Sequence, residues 1–97
     1  MANRSRTEIV GEILVAVSNN DGDGIGVTRS TLMNEVYLSS AHLREYLVVL
    51  TVHGLLTYDS LTLRYNIAEK GLRYLELCNK IGEVLKEEEQ EEHFGQV

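Results

Sequence analysis

Residues 37–56 read YLSSAHLREYLVVLTVHGLL. Ser39 or Ser40 caps a helix here, because a hydroxyl oxygen accepts from the unpaired N–H groups of a first turn. Leu43, Tyr46, Leu47 and Leu50 follow at three- and four-residue spacing, which predicts one apolar face on a helix over residues 41–53. Gly54 ends it, as the residue that takes a left-handed backbone most easily. Upstream, Thr28 offers a cap oxygen to a shorter helix with Thr31, Leu32, Glu35 and Val36 at helical spacing, and Tyr37 and Leu38 leave room only for a tight connection between the two.

Working outward, residues 19–26 (NNDGDGIG) are crowded with Asn, Asp and Gly and predict a loop. Before it, Ile9, Val10, Ile13, Leu14 and Val17 form one stripe of a first helix over residues 6–18. After Gly54 the period changes from that of a helix to that of a strand. Residues 55–58 and 61–67 read as two short strands around Asp59 and Ser60, with Thr62, Arg64 and Asn66 alternating against Leu63, Tyr65 and Ile67. Helical spacing returns at Glu69 and continues through Leu85 into a glutamate run, a helix of about 20 residues.

Three helices, a hairpin and a fourth helix describe an α+β, mostly α fold, the winged helix-turn-helix, with the hairpin as wing. The expected division is a winged domain over residues 1–68, a C-terminal dimerisation helix with an acidic end over 69–92, and a frayed tail over 93–97. The run from Tyr37 to Leu56, with Tyr65-Asn66-Ile67-Ala68-Glu69-Lys70-Gly71-Leu72-Arg73-Tyr74-Leu75, resembles the small archaeal winged-helix DNA-binding family, whose chromatin-associated members dimerise through a long C-terminal helix. The resemblance spans roughly residues 5 to 85. It rests on the order Leu-Ser, Leu, Tyr-Leu, Leu, Gly-Leu-Leu and on Glu-Lys-Gly followed by Tyr-Leu.

The resemblance implies that helix 3 enters the major groove of double-stranded DNA, with Ser39, Ser40, His42, Arg44 and Glu45 leading, and that the wing touches the backbone. Arg44 is then the foremost base or phosphate reader, because its forked guanidinium matches a guanine edge or a phosphate. Arg29 and Arg64 become phosphate contacts, and Arg4 and Arg6 a flexible arm. One departure stands out. Relatives tend to carry Lys, Glu or Gln where this chain has Val48, Val49 and Val52, which face away from the Leu43, Leu47 and Leu50 stripe. These valines either pack on helix 1 and the wing or form a surface for a protein partner.

Helix 4 carries a second expectation. Tyr74, Leu77, Ile81 and Val84 follow 3-4-3 spacing with Cys78 and Leu85 beside them, while Leu72 and Leu75 project from another side toward the domain core. A helix with two apolar sides takes two partners, its own domain and the same helix of a second subunit. The alternative is that all of these side chains fold back within one chain.

Composition narrows the function classes. Ninety-seven residues, 43% apolar and 25% charged, make one modest core and exclude a multidomain enzyme or a wholly disordered chain. The net charge of −6 is uneven: residues 1–80 hold eight Lys and Arg against nine Asp and Glu, a net of −1, whereas residues 81–97 hold Lys86 against six glutamates, a net of −5. The acidic tail either solubilises the helix end or discourages non-specific DNA contact. The single Cys78 excludes an internal disulfide, no secretory signal is read at the N-terminus, and a reducing cytoplasm is the expected compartment. No apolar run approaches the roughly 20 residues of a membrane span.

Catalytic and metal motifs are not read. Asn19, Asp21, Asp23 and Gly24 match the start of a calcium loop, but its twelfth position falls on Ser30, where a bidentate Glu is needed. His42, His53 and His93 have no convergent spacing, and Cys78 sits among Leu77 and Ile81 as a small hydrophobe. Neither metal nor cofactor is expected. Tyr46 and Tyr74 fall on apolar stripes, while Tyr58 and Tyr65, one in each wing strand, either pair across the wing or flank a nucleic-acid backbone. The expected function is DNA binding by a homodimeric transcriptional regulator, the alternative a non-catalytic protein-interaction module on the same fold.

Overall fold

The computed structural model describes residues 4–20 and 24–95, with side chains through Val84. The element order is α1 (Arg6–Asn19), β1 (Val27–Thr28), α2 (Arg29–Val36), α3 (Ser40–Val52), β2 (Leu56–Asp59), β3 (Arg64–Ile67) and α4 (Glu69–Gly95). This is the α+β winged helix-turn-helix arrangement.

The first three helices begin alike. Ser5 Oγ accepts from the Glu8 N–H at 3.1 Å, Thr28 Oγ1 from Thr31 at 3.4 Å and Ser39 Oγ from His42 at 3.2 Å. Each hydroxyl satisfies a first-turn donor that the helix itself cannot pair. Of the two serines, Ser39 is the cap and Ser40 the first helical residue. α3 ends in a Schellman motif: the Leu55 N–H donates to the Leu50 carbonyl at 2.9 Å and Gly54 to Thr51 at 3.1 Å, with Gly54 at φ +78°. The turn between α2 and α3 passes through Tyr37 at φ +53°, its side chain exposed.

The core is the set that the periodicity points to. Ile13, Leu14 and Val17 of α1, Leu32 and Val36 of α2, Leu43, Leu47 and Leu50 of α3, and Leu56 of β2 are all buried. Val27 of β1 joins them. β1, two residues within the stretch between loop and second helix, is a strand that the sequence reading lacks. It pairs with β3, so the wing is a three-stranded antiparallel sheet of order β1-β3-β2. Two residues are too few to show a period, and the pairing partner lies nearly forty positions away.

α4 begins at Glu69, as its spacing predicts, and departs from expectation at its far end. It runs to Gly95, so His93, Phe94 and Gly95 belong to the helix, while residues 96 and 97 lie outside the described residues. At its start, the Ala68 N–H donates to the Leu55 carbonyl at 3.0 Å, and Gly71 is buried beneath that same carbonyl. A Cβ at Gly71 would collide with it and stand 2.8 Å from Ile67 Cγ1. That contact explains the glycine of the Glu-Lys-Gly sequence. The helix then packs on α1 and, at 27 residues, is about 40 Å long. The molecule is accordingly elongated, 59 × 30 × 22 Å.

Candidate nucleic-acid interface

α3 presents its outward face opposite the Leu43, Leu47 and Leu50 stripe. Ala41, His42, Arg44, Glu45, Val48, Val49 and Val52 are all exposed there. The valines are not packed on helix 1 or the wing: Val48 is 56%, Val49 50% and Val52 75% exposed. None of the three is therefore buried against helix 1 or the wing.

On the wing side of this face the fold gathers residues from three elements. The β2–β3 register sets Tyr58 opposite Tyr65, and their rings lie 4.7 Å apart at 42°. Cross-strand pairing is therefore the role these two tyrosines fill. The Tyr65 phenol is pushed above its ordinary pKa, first by burial and then by Tyr58, and the positive charges of Arg29 and Arg44 pull it partway back. Two arginines, from the starts of α2 and α3, thus sit within electrostatic reach of one wing tyrosine. Between wing and α2 lies an open groove of about 400 Å³ lined by Arg29, Ser30, Tyr58, Thr62, Leu63 and Tyr65.

On the other flank of α3, Arg6 joins Val10 of α1 and His42, Glu45, Tyr46 and Val49 of α3 around a second groove of about 410 Å³. Arg6, His42 and Glu45 thus line one flank of α3, Arg29 lines the groove by the wing, and Ser40 and Arg44 are exposed on α3 itself. Three other expected contacts are differently employed.

Arg4 is no flexible arm. Its guanidinium pairs with Glu12 at 2.8 Å and donates to the Val36 and Tyr37 carbonyls at 2.8 and 3.3 Å. It ties α1 to the C-terminal end of α2, where unpaired carbonyls favour a cation. Arg64 stands on the opposite sheet face from Tyr65, because side chains alternate along a strand, and donates to the Gly26 carbonyl at 3.2 Å. Ser39 spends its hydroxyl on the α3 cap.

With Arg64 turned away, the wing tip exposes two leucines. Asp59 closes the turn by accepting from the Leu61 N–H through Oδ1 at 2.8 Å and from Leu63 through its carbonyl at 2.7 Å. Leu61 is 92% exposed, and Leu63 sits at φ +58°, a conformation that costs a non-glycine residue. The sequence reading passes over both leucines, since alternation assigns Leu63 to the inner face of a strand.

α4 divides its apolar residues otherwise than expected. Tyr74 and Leu75 pack against the domain's own core, and Cys78 is half-buried beside Tyr74. The Tyr74 phenol is raised above its ordinary pKa by burial first and by Cys78 second. Leu72, expected to cover the core, is exposed. Leu77, Ile81 and Val84 remain as an exposed stripe, and Leu85 lies where side chains are not described. Among the described residues no group of His, Cys, Asp and Glu is placed to hold a metal ion, and no helix is long and apolar enough to cross a membrane. Asp21 and Asp23 of the calcium-like loop lie outside the described residues.

The fold, the capped helix-turn-helix and the wing define a class, and the family profile agrees: winged helix-turn-helix matches residues 3–86. The chain belongs to the winged helix-turn-helix family. Domains of this family are typically DNA-binding and non-catalytic. No curated protein matches the chain.

Proposed function

We propose that the protein is a homodimeric transcriptional regulator of the cytoplasm that binds double-stranded DNA, with α3 in the major groove and the wing alongside it. The observation that carries this reading is the exposed outer face of α3, bearing Arg44, next to a wing whose Tyr58–Tyr65 pair shares a groove with Arg29. Arg6 supports the other flank. Leu77, Ile81 and Val84 supply the dimer contact, since three exposed apolar residues at helical spacing on one side of α4 need cover. Leu85, from the expected seam, extends it.

The test is a fluorescence-anisotropy titration onto mixed-sequence duplex DNA across a salt series, with light scattering on the same sample. Three arginines per subunit, Arg6, Arg29 and Arg44, have no ion-pair partner among the described residues and make about six phosphate contacts in a dimer, so log Kd against log salt should have a slope near 5 in magnitude. Absence of binding at low salt refutes the reading. The exposure of Val48, Val49 and Val52 favours a second reading, a protein-interaction module on the same fold; it predicts that Val49→Glu abolishes capture of a protein partner while Arg44→Ala changes nothing.

A further inference from the structure

The outward midline of α3 has a composition that phosphate binding does not explain. Turning 100° per residue from the core stripe places Ala41, Glu45, Val48 and Val52 furthest from the mean direction of Leu43, Leu47 and Leu50. Three of these four are apolar. Val52 is the most exposed of the valines at 75%. β-branched residues are mediocre helix formers, so two exposed valines do nothing for the helix itself. Their stiff side chains do present methyl groups at fixed positions, with little rotamer freedom to lose on contact.

The charges flanking the midline are arranged to match. By helical angle Arg44 stands on the flank away from His42 and Val49, which share a groove with Arg6 of α1, while Arg29 lines the groove between α2 and the wing. The surface is thus apolar along its centre and cationic at both rims. A B-form major groove has the complementary pattern, with phosphates along its two edges, about 12 Å apart, and base edges on its floor. Only one base carries an apolar group on that floor, thymine with its C5-methyl.

We infer that Ala41, Val48 and Val52 read thymine methyl groups, so that the protein selects duplex DNA with thymines clustered on the groove floor. This rests on the DNA-binding reading above. Glu45, the one charge on the midline, accepts from an exposed base amine between those thymines, as carboxylates do from cytosine. Arg44, at the border, supplies the contact to a guanine edge or a phosphate.

The experiment uses the full chain and a pool of duplexes enriched from random sequence by the wild-type protein, remade with thymidine or with deoxyuridine. Deoxyuridine removes only the C5-methyl and leaves the pairing intact. Each methyl buried against a side chain is worth about fourfold in Kd, so two or more per site make the deoxyuridine pool bind at least tenfold more weakly. Val48→Ser/Val52→Ser removes the methyl groups from both exposed positions. That variant should bind the thymidine pool nearly as weakly as the wild type binds the deoxyuridine pool, and should distinguish the two less than the wild type does, with Ala41 the reader that remains. Equal affinity of the wild type for both pools overturns the inference and leaves DNA binding standing. So does an unchanged thymidine-to-deoxyuridine ratio in the double variant. Absence of salt-dependent binding to either pool overturns the DNA-binding reading and this inference together, and assigns the valine face to a protein partner.

Discussion

Two helices of this molecule, α3 and α4, each carry an apolar stripe that the core does not use, and the neighbours of the stripes differ. Val48 and Val52 of α3 lie between arginines, Arg44 with Arg29 on one flank and Arg6 on the other. Leu77, Ile81 and Val84 of α4 lead instead into the run Glu87 to Glu92. An apolar strip with cationic rims suits a polyanion whose groove floor is partly apolar. One that ends in carboxylates repels that polyanion and suits a second copy of itself, held with the acidic ends in water. On the proposed reading, the same residue types serve different partners according to the charge beside them.

The comparison breaks most severely if the α4 stripe is made polar. Ile81→Glu should convert a dimer to a monomer by light scattering and weaken DNA binding by about a hundredfold, because the second subunit then no longer binds as part of the same complex. Retention of the dimer would falsify the assignment of that stripe. On the other helix, Arg44→Ala should weaken binding by about tenfold, the loss of one forked contact, with the light-scattering mass unchanged.

Arg6 and Arg4 sharpen the contrast between a free and an engaged cation. Arg6→Ala should lower the salt slope of a dimer by about 2, one phosphate per subunit, and leave thermal stability alone. Arg4→Ala should leave the slope alone and cost about 1 kcal/mol in urea unfolding, since it removes contacts to two helix-end carbonyls. The reverse assignment of effects would return Arg4 to the role of an arm.

The wing offers smaller effects. Leu63→Gly relieves a left-handed backbone and should stabilise the fold by about 1 kcal/mol, readable as a higher urea midpoint. The raised pKa of Tyr65 means that the folded chain holds the phenolic proton more tightly than the unfolded chain. Its contribution to stability is whole below the ordinary tyrosine pKa of 10.0 and falls as pH rises through and above it. Unfolding midpoints should therefore drop between about pH 9 and 11, and drop less in Tyr65→Phe; Tyr74, also raised, accounts for part of what remains.

What was legible in the sequence follows a pattern. Thr28 as a cap, Gly54 as a stop, the Leu43-Leu47-Leu50 face and the paired wing strands all involve partners within a few residues, and spacing shows such partners directly. The engagement of Arg4 and Arg64 is invisible to spacing because their acceptors, Val36 and Gly26, lie 32 and 38 positions away. Tyr74 was placed in the dimer seam because helical angle gives direction but not which neighbour waits there.

By itself, then, the sequence determined the kind and order of the long elements, most of their ends and the residues of the core, since these depend on local hydrogen bonding and on a period that each helix or strand repeats. Only the tertiary structure decided which cations remain free, that a two-residue strand completes the wing, and which side of α4 the domain keeps for itself. Those outcomes depend on which distant carbonyl or apolar surface reaches a side chain first, and that is set when the elements pack.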